Sequence, residues 1–135
     1  KRLKAAIDQG RERAQQRRQR TADAERAYAA FLENVAIPVT RMVQTVLKAE
    51  GHAFTVLTPG GGLRLAADRG RDDYVEFALD TSGDAPQVVG RVSQGRGSRT
   101  LEMDVPVKPG ASPDVLSEED VLEFYVRALA PWLER

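Results

Sequence analysis

The sequence predicts an α+β domain: a five-stranded antiparallel meander with helices packed on one face and an N-terminal helical extension. Three observations carry this. Between His52 and Val107, apolar residues alternate with polar ones in five short runs. Gly-, Pro- and Asp-rich turns separate the runs. Apolar stripes of helical spacing lie before and after them.

The runs are Phe54 and Val56; Leu63, Leu65 and Ala67; Val75, Phe77 and Leu79; Val88, Gly90 and Val92; and Leu101, Met103, Val105 and Val107. A period of two puts each set on one face of its strand. The connections are Pro59-Gly60-Gly61-Gly62 and residues 68–72, 81–86 and 94–98. Connections this short predict hairpins and the strand order 1-2-3-4-5. The alternation also predicts a register: Val56 with Leu65, Leu65 with Val75, Val75 with Val92, and Val92 with Leu101. Arg96-Gly97 then forms the tip of the last hairpin. Phe77 falls opposite Gly90, where an aromatic ring can cover glycine backbone. On the outer face Arg64, Glu76, Arg91 and Glu102 form a row of alternating sign, a candidate partner surface.

Residues 1–36 read as a basic amphipathic helix preceding a domain at 37–135. The segment is rich in Ala, Gln, Arg and Glu, all good helix formers. A heptad-like stripe runs through Leu3, Ile7, Gly10, Ala14, Arg17, Thr21, Ala24, Tyr28, Phe31 and Val35. Its middle offers Gly, Arg and Thr where a coiled coil wants Leu or Ile, so only the turns around Tyr28, Phe31 and Leu32 are expected to dock. Pro38 should end or kink this helix. A second helix, 38–50, carries Val39, Met42, Val43, Val46 and Leu47, with Gly51 as a left-handed cap. A last helix, 117–134, opens on Ser117 followed by three acids, which suit the positive end of the helix dipole. Val121, Leu122, Tyr125, Val126, Leu129, Trp132 and Leu133 form its stripe, and Pro131 weakens its final turn.

The formal net charge is zero but polarised. Residues 1–20 hold eight basic and two acidic side chains, a net +6, and the remainder holds twelve against eighteen, a net −6. Arg11, Arg13, Arg17, Arg18 and Arg20 form a candidate phosphate-contacting arm. No aromatic is interleaved with them, and no recognised nucleic-acid motif accompanies them. The arm could equally pair with the acidic body of a second copy.

Chemistry finds little purchase in the sequence. The absence of cysteine excludes thiolate catalysis and cysteine-ligated zinc. His52 is the sole histidine, without the companions a metal site needs. The pairs Asp72-Asp73 and Glu118-Glu119 read as turn chemistry and helix capping. Gly60-Gly61-Gly62 leads into a strand rather than a helix, unlike a phosphate loop. No catalytic residue, cofactor or metal is expected, and no run is apolar enough to span a membrane. The chain begins at Lys1, as a trimmed sequence would. Its arginine-over-lysine bias suits a GC-rich bacterial genome, and the lack of cysteine suits the cytoplasm.

These features point to a non-enzymatic protein-interaction module, with homodimerisation through the N-terminal helix or a sheet edge. A nucleic-acid-associated protein using the basic arm is the alternative. An adaptor or chaperone-like role is a third reading, resting on layering alone. Small secretion-chaperone-type domains also place helices on one face of an antiparallel sheet, in a different order of elements.

Overall fold

A computed structural model of the chain describes residues 1–134. It runs through α1 (Arg2–Phe31), a π-helical turn (Leu32–Ala36), α2 (Ile37–Ala49), β1 (Phe54–Leu57), β2 (Leu63–Ala67) and β3 (Tyr74–Asp80). Then come β4 (Gln87–Arg96), β5 (Arg99–Pro106), α3 (Glu118–Ala128) and a short α4 (Ala130–Leu133). The sheet is antiparallel, in the order β1-β2-β3-β4-β5. The fold is the α+β meander that the alternation predicts, with helices on one face.

Pro38 does not end the helix. α1, the π turn and α2 form one 48-residue helix, about 70 Å long at 1.5 Å per residue. The Ile37 N–H donates to the Leu32 carbonyl, five residues back. The extra residue widens the turn immediately before Pro38, where a proline ring would otherwise meet the carbonyl one turn behind it. The flanking backbone stays helical, with Ala36 at φ −70°, ψ −44° and Ile37 at φ −63°, ψ −49°.

The helix docks by its second half. Ala24, Phe31, Leu32, Ala36, Val39, Thr40, Val43 and Leu47 are buried, whereas residues 1–20 are exposed apart from half-buried Ala14. Met42 and Val46, expected in the α2 stripe, face outward. The helix then stops at Gly51, whose φ of 87° suits a residue without a Cβ.

Three of the four hairpins pair as predicted. Val56 faces Leu65, Leu65 faces Val75, Val75 faces Val92 and Phe77 faces Gly90. The fourth differs by two residues: Val92 faces Met103, and Leu101 faces Gln94. Its tip is Gly97-Ser98 rather than Arg96-Gly97, because Arg96 and Arg99 are still paired. Gly97 has a φ of 61°. The favoured two-residue hairpin turns need positive φ at their first central residue, which glycine adopts freely and Arg96 does not. A slip of two keeps every side chain on its face.

α3 meets the sheet at Gly90. The Phe124 ring fills the space that a Cβ on Gly90 would need. Phe77, expected to cover this glycine, instead packs beside Phe124 at a centroid distance of 5.5 Å and edge-on to Phe31 and Tyr125. Behind the rings, the Thr40 and Tyr125 hydroxyls share a buried 2.6 Å hydrogen bond that ties α2 to α3. The start of α3 is fixed by a capping box. Ser117 Oγ accepts from the Asp120 N–H at 3.1 Å, and the Asp120 carboxylate accepts from the Ser117 N–H at 2.9 Å. That backbone donor is the main reason the Asp120 carboxyl is held below the usual carboxylate range. The final helix divides at Leu129 instead of running unbroken over 117–134. Pro131 has no amide donor to continue the ladder there.

Replacing Gly90 by Ala should cost about 1–3 kcal/mol, the usual penalty for overpacking a core. Urea denaturation reads this directly. Gly83→Ala, at a site with open space around the added Cβ, is the control. Equal stability of the two variants would mean that the Phe124 contact does not constrain the fold.

Candidate functional site

The outer face of the sheet carries the predicted charge row, with one substitution. Arg64 faces Glu76 and Glu76 faces Arg91, but Arg91 faces Asp104. Glu102 lies opposite Ser93 instead, a consequence of the two-residue shift in the last hairpin. Arg64 Nε donates to Glu76 Oε1 at 2.9 Å, and Arg91 Nε to Asp104 Oδ1 at 3.0 Å. The Arg64 guanidinium also lies over the Tyr74 ring, 3.9 Å from its centroid. The Tyr74 hydroxyl donates to Glu102 Oε1 at 3.4 Å. The hydrogen bond to Glu76 holds the Arg64 guanidinium pKa above its ordinary value, and that to Asp104 does the same for Arg91. Exposed pairs of this kind are screened by solvent and add little to stability. Their charges are met within the sheet, so the row offers a partner little unsatisfied potential.

The arm is different. Arg11, Arg13, Arg17, Arg18 and Arg20 are all exposed on α1. Helical spacing sets Arg13, Arg17 and Arg20 on one face and Arg11 and Arg18 on another. Among the described residues, none of the five has a carboxylate within ion-pair distance. Leu3 and Ile7, one turn apart on the same helix, are 74% and 45% exposed.

The remaining candidates have structural surroundings. Asp73 is buried and accepts the Gly95 N–H at 2.8 Å through Oδ1. The Asp72 carboxylate accepts the Thr100 hydroxyl at 3.1 Å, and its carbonyl accepts the Ser93 hydroxyl at 2.6 Å. Together they clasp the β2–β3 loop to the far end of the β4–β5 hairpin. Glu118 and Glu119 stand exposed in the first turn of α3. His52 sits between α2 and β1, half-buried, beside Arg69 and Trp132 at a shallow surface depression. Among the described residues no group of three or more His, Asp or Glu side chains is placed to hold a metal ion. None of the helices there is long and apolar enough to cross a membrane.

A feature the alternation does not reveal lies on the inner face. Leu63, Leu65 and Val75 on β2 and β3 are fully buried, as is Val88 on β4. Leu101 and Met103 occupy equivalent inner-face positions on β5, yet they are 50% and 65% exposed. The cause is width. Five strands at about 4.8 Å spacing span about 24 Å, while two helices packed 8–10 Å apart cover about 20 Å. α2 and α3 are exhausted by β1 to β4. Between β5 and α3–α4 this leaves an apolar groove of about 410 Å³, lined by Val92, Leu101, Met103, Val105, Phe124, Ala128 and Pro131. Gln94 also lines it, and the Gln94 side-chain oxygen is buried without a hydrogen-bond partner. Arg127, at the rim, donates to the Val107 carbonyl at 3.2 Å. The free edge of β5 borders the groove.

No protein-family model matches the chain, and neither does any curated protein or solved structure.

Two measurements test these assignments. Asp73→Ala leaves the Gly95 N–H without its acceptor and should cost about 1–3 kcal/mol of stability. An unchanged denaturation midpoint would remove the clasp. Tyr28 offers a pH test. Burial, with the nearby negative charge of Glu76 adding to it, raises its phenol from an ordinary value near 10 to about 12. The folded state therefore favours the neutral phenol. Its contribution to stability should be constant up to about pH 10 and be lost as the pH rises toward 12. Because the Tyr28 hydroxyl is buried without a partner, Tyr28→Phe should keep neutral-pH stability and flatten the alkaline decline. A steeper decline in that variant would contradict the assignment.

Proposed function

We propose that this chain is a non-enzymatic protein-interaction module that holds an amphipathic helical segment of a partner in the groove beside β5. The exposure of Leu101 and Met103 on the otherwise covered inner face carries this reading. Apolar side chains on a packed sheet face are normally shielded, and a contiguous exposed set rimmed by polar groups marks a binding surface. An amphipathic helix can lay its apolar stripe against the exposed Leu101 and Met103 at the open side of the groove.

The edge of β5 is a weaker candidate for strand addition. Pro106 withdraws a backbone donor, and Glu102 and Asp104 bring negative charge to the strand, both devices that discourage edge pairing. The outer charge row is weaker still, because its groups already pair with one another. Nucleic-acid binding by the arm draws support from five unpaired arginines, but the body that carries them has the opposite charge.

The test is selection of peptides from a random library on the intact chain and on Met103→Arg. Helix-forming sequences with apolar residues three and four apart should enrich on the native chain and be lost on the variant, whose thermal stability should match because position 103 is exposed. Enrichment that ignores the substitution, or no enrichment at all, rejects the groove as the binding surface.

A further inference from the structure

We infer that the occupant of the groove is the N-terminal arm of a second copy of this chain, giving a dimer in which two arms are exchanged. This rests on the groove reading above and names its partner.

Residues 2–20 of the arm are exposed to solvent, apart from half-buried Ala14. Residues 2–20 run about 28 Å beyond the docked part of α1. A solvated helix of this length is marginal in water without a packed face. It nevertheless carries an apolar stripe of Leu3, Ile7, Gly10 and Ala14, with both large residues exposed. Gly10 and Ala14 are small enough to let a helix axis lie close to a sheet.

The arm cannot fill its own groove. It continues α2 without a break, and the π turn that absorbs Pro38 keeps the two in one rod. A reversal of direction would need a loop, and the backbone from Arg2 to Ala49 has none. The occupant must therefore come from another molecule.

Charge decides between the remaining self-associations. Two arms side by side would bring together segments of net +6 each, whereas an arm on a body pairs +6 with −6. At the groove itself the acidic residue in the lining is Glu102, which is exposed. Each arm alone has a footprint of about 28 by 10 Å, well short of the about 800 Å² that each partner of a stable complex buries. In a reciprocal exchange every copy supplies both an arm and a groove, which doubles the contact and closes the assembly as a two-fold dimer.

Sedimentation velocity on the full chain tests this, using Ile7→Glu in the arm and Met103→Arg in the groove. Circular dichroism checks that both variants keep the fold. The native chain should sediment as a dimer that weakens with added salt. Each variant should associate about tenfold more weakly or worse, the loss expected when a central apolar anchor is removed. A one-to-one mixture of the two should regain the dimer. In that mixture one arm–groove contact is native, and the other sets the introduced acid against the introduced base. A monomeric native chain, a variant that dimerises as tightly as the native chain, or a mixture that stays monomeric would each overturn the exchange. If the native chain is monomeric while peptides still select on Met103, the groove keeps its proposed role and only its self-occupancy falls. Salt-sensitive binding of random duplex DNA that is indifferent to Met103→Arg would assign the arm to phosphates and also overturn it.

Discussion

The fit of Phe124 onto Gly90 is the contact on which the rest of the architecture depends. A side chain at position 90 would hold α3 away from the sheet. Its absence lets the ring touch the backbone of β4 and fixes the helix above β3 and β4. Once α3 is seated there, Tyr125 reaches Thr40 and α2 is held over β1 and β2. The inner face is then used up one strand too soon. The uncovered strip on β5 is thus a consequence of where the helices must sit, and the groove follows from the same contact that closes the core.

Electrostatics in the molecule is arranged at two scales. Locally, opposite charges are matched: Arg64 with Glu76, Arg91 with Asp104, Asp120 with the amide that caps α3. These matches fix register and helix ends and leave little over. At the scale of the whole chain the balance is not local, because the arm holds an excess of positive charge and the body an equal excess of negative charge. Screening at physiological salt acts over about 8 Å, so most of the arm lies beyond the reach of the opposite charge on its own body. The two excesses are equal in size.

Much of the architecture was legible in the residues. Alternation gave the faces of all five strands, and the glycine-rich turns gave the hairpins. Ser117 and Gly51 marked helix ends through chemistry that is local in sequence. Failures occurred where geometry is set by something beyond the pattern. A two-residue shift leaves alternation unchanged, so the pairing of Val92 could be fixed only by asking whether Arg96 or Gly97 takes the positive φ. Pro38 looked like a terminator because its cost in a regular helix is large, and a π turn removes most of that cost. Leu101 and Met103 were placed on the correct face but taken as covered. Periodicity reports which way a side chain points and is silent on what lies above it. Counting strands against helices would have exposed the shortfall.

The Thr40–Tyr125 hydrogen bond joins residues 85 positions apart, and that separation bears on how the chain is made. The strands can pair as each hairpin leaves the ribosome, since every neighbour in the sheet is also a neighbour in sequence. The inner face, however, stays without its α3 cover until the last fifth of the described chain has been synthesised. A nascent chain that stalls before Phe124 presents the buried rows of β2, β3 and β4 to the cytosol of whatever cell translates it. Such an intermediate is a substrate for chaperones and proteases, so the timing of α3 synthesis bears on how much of the protein reaches its folded state.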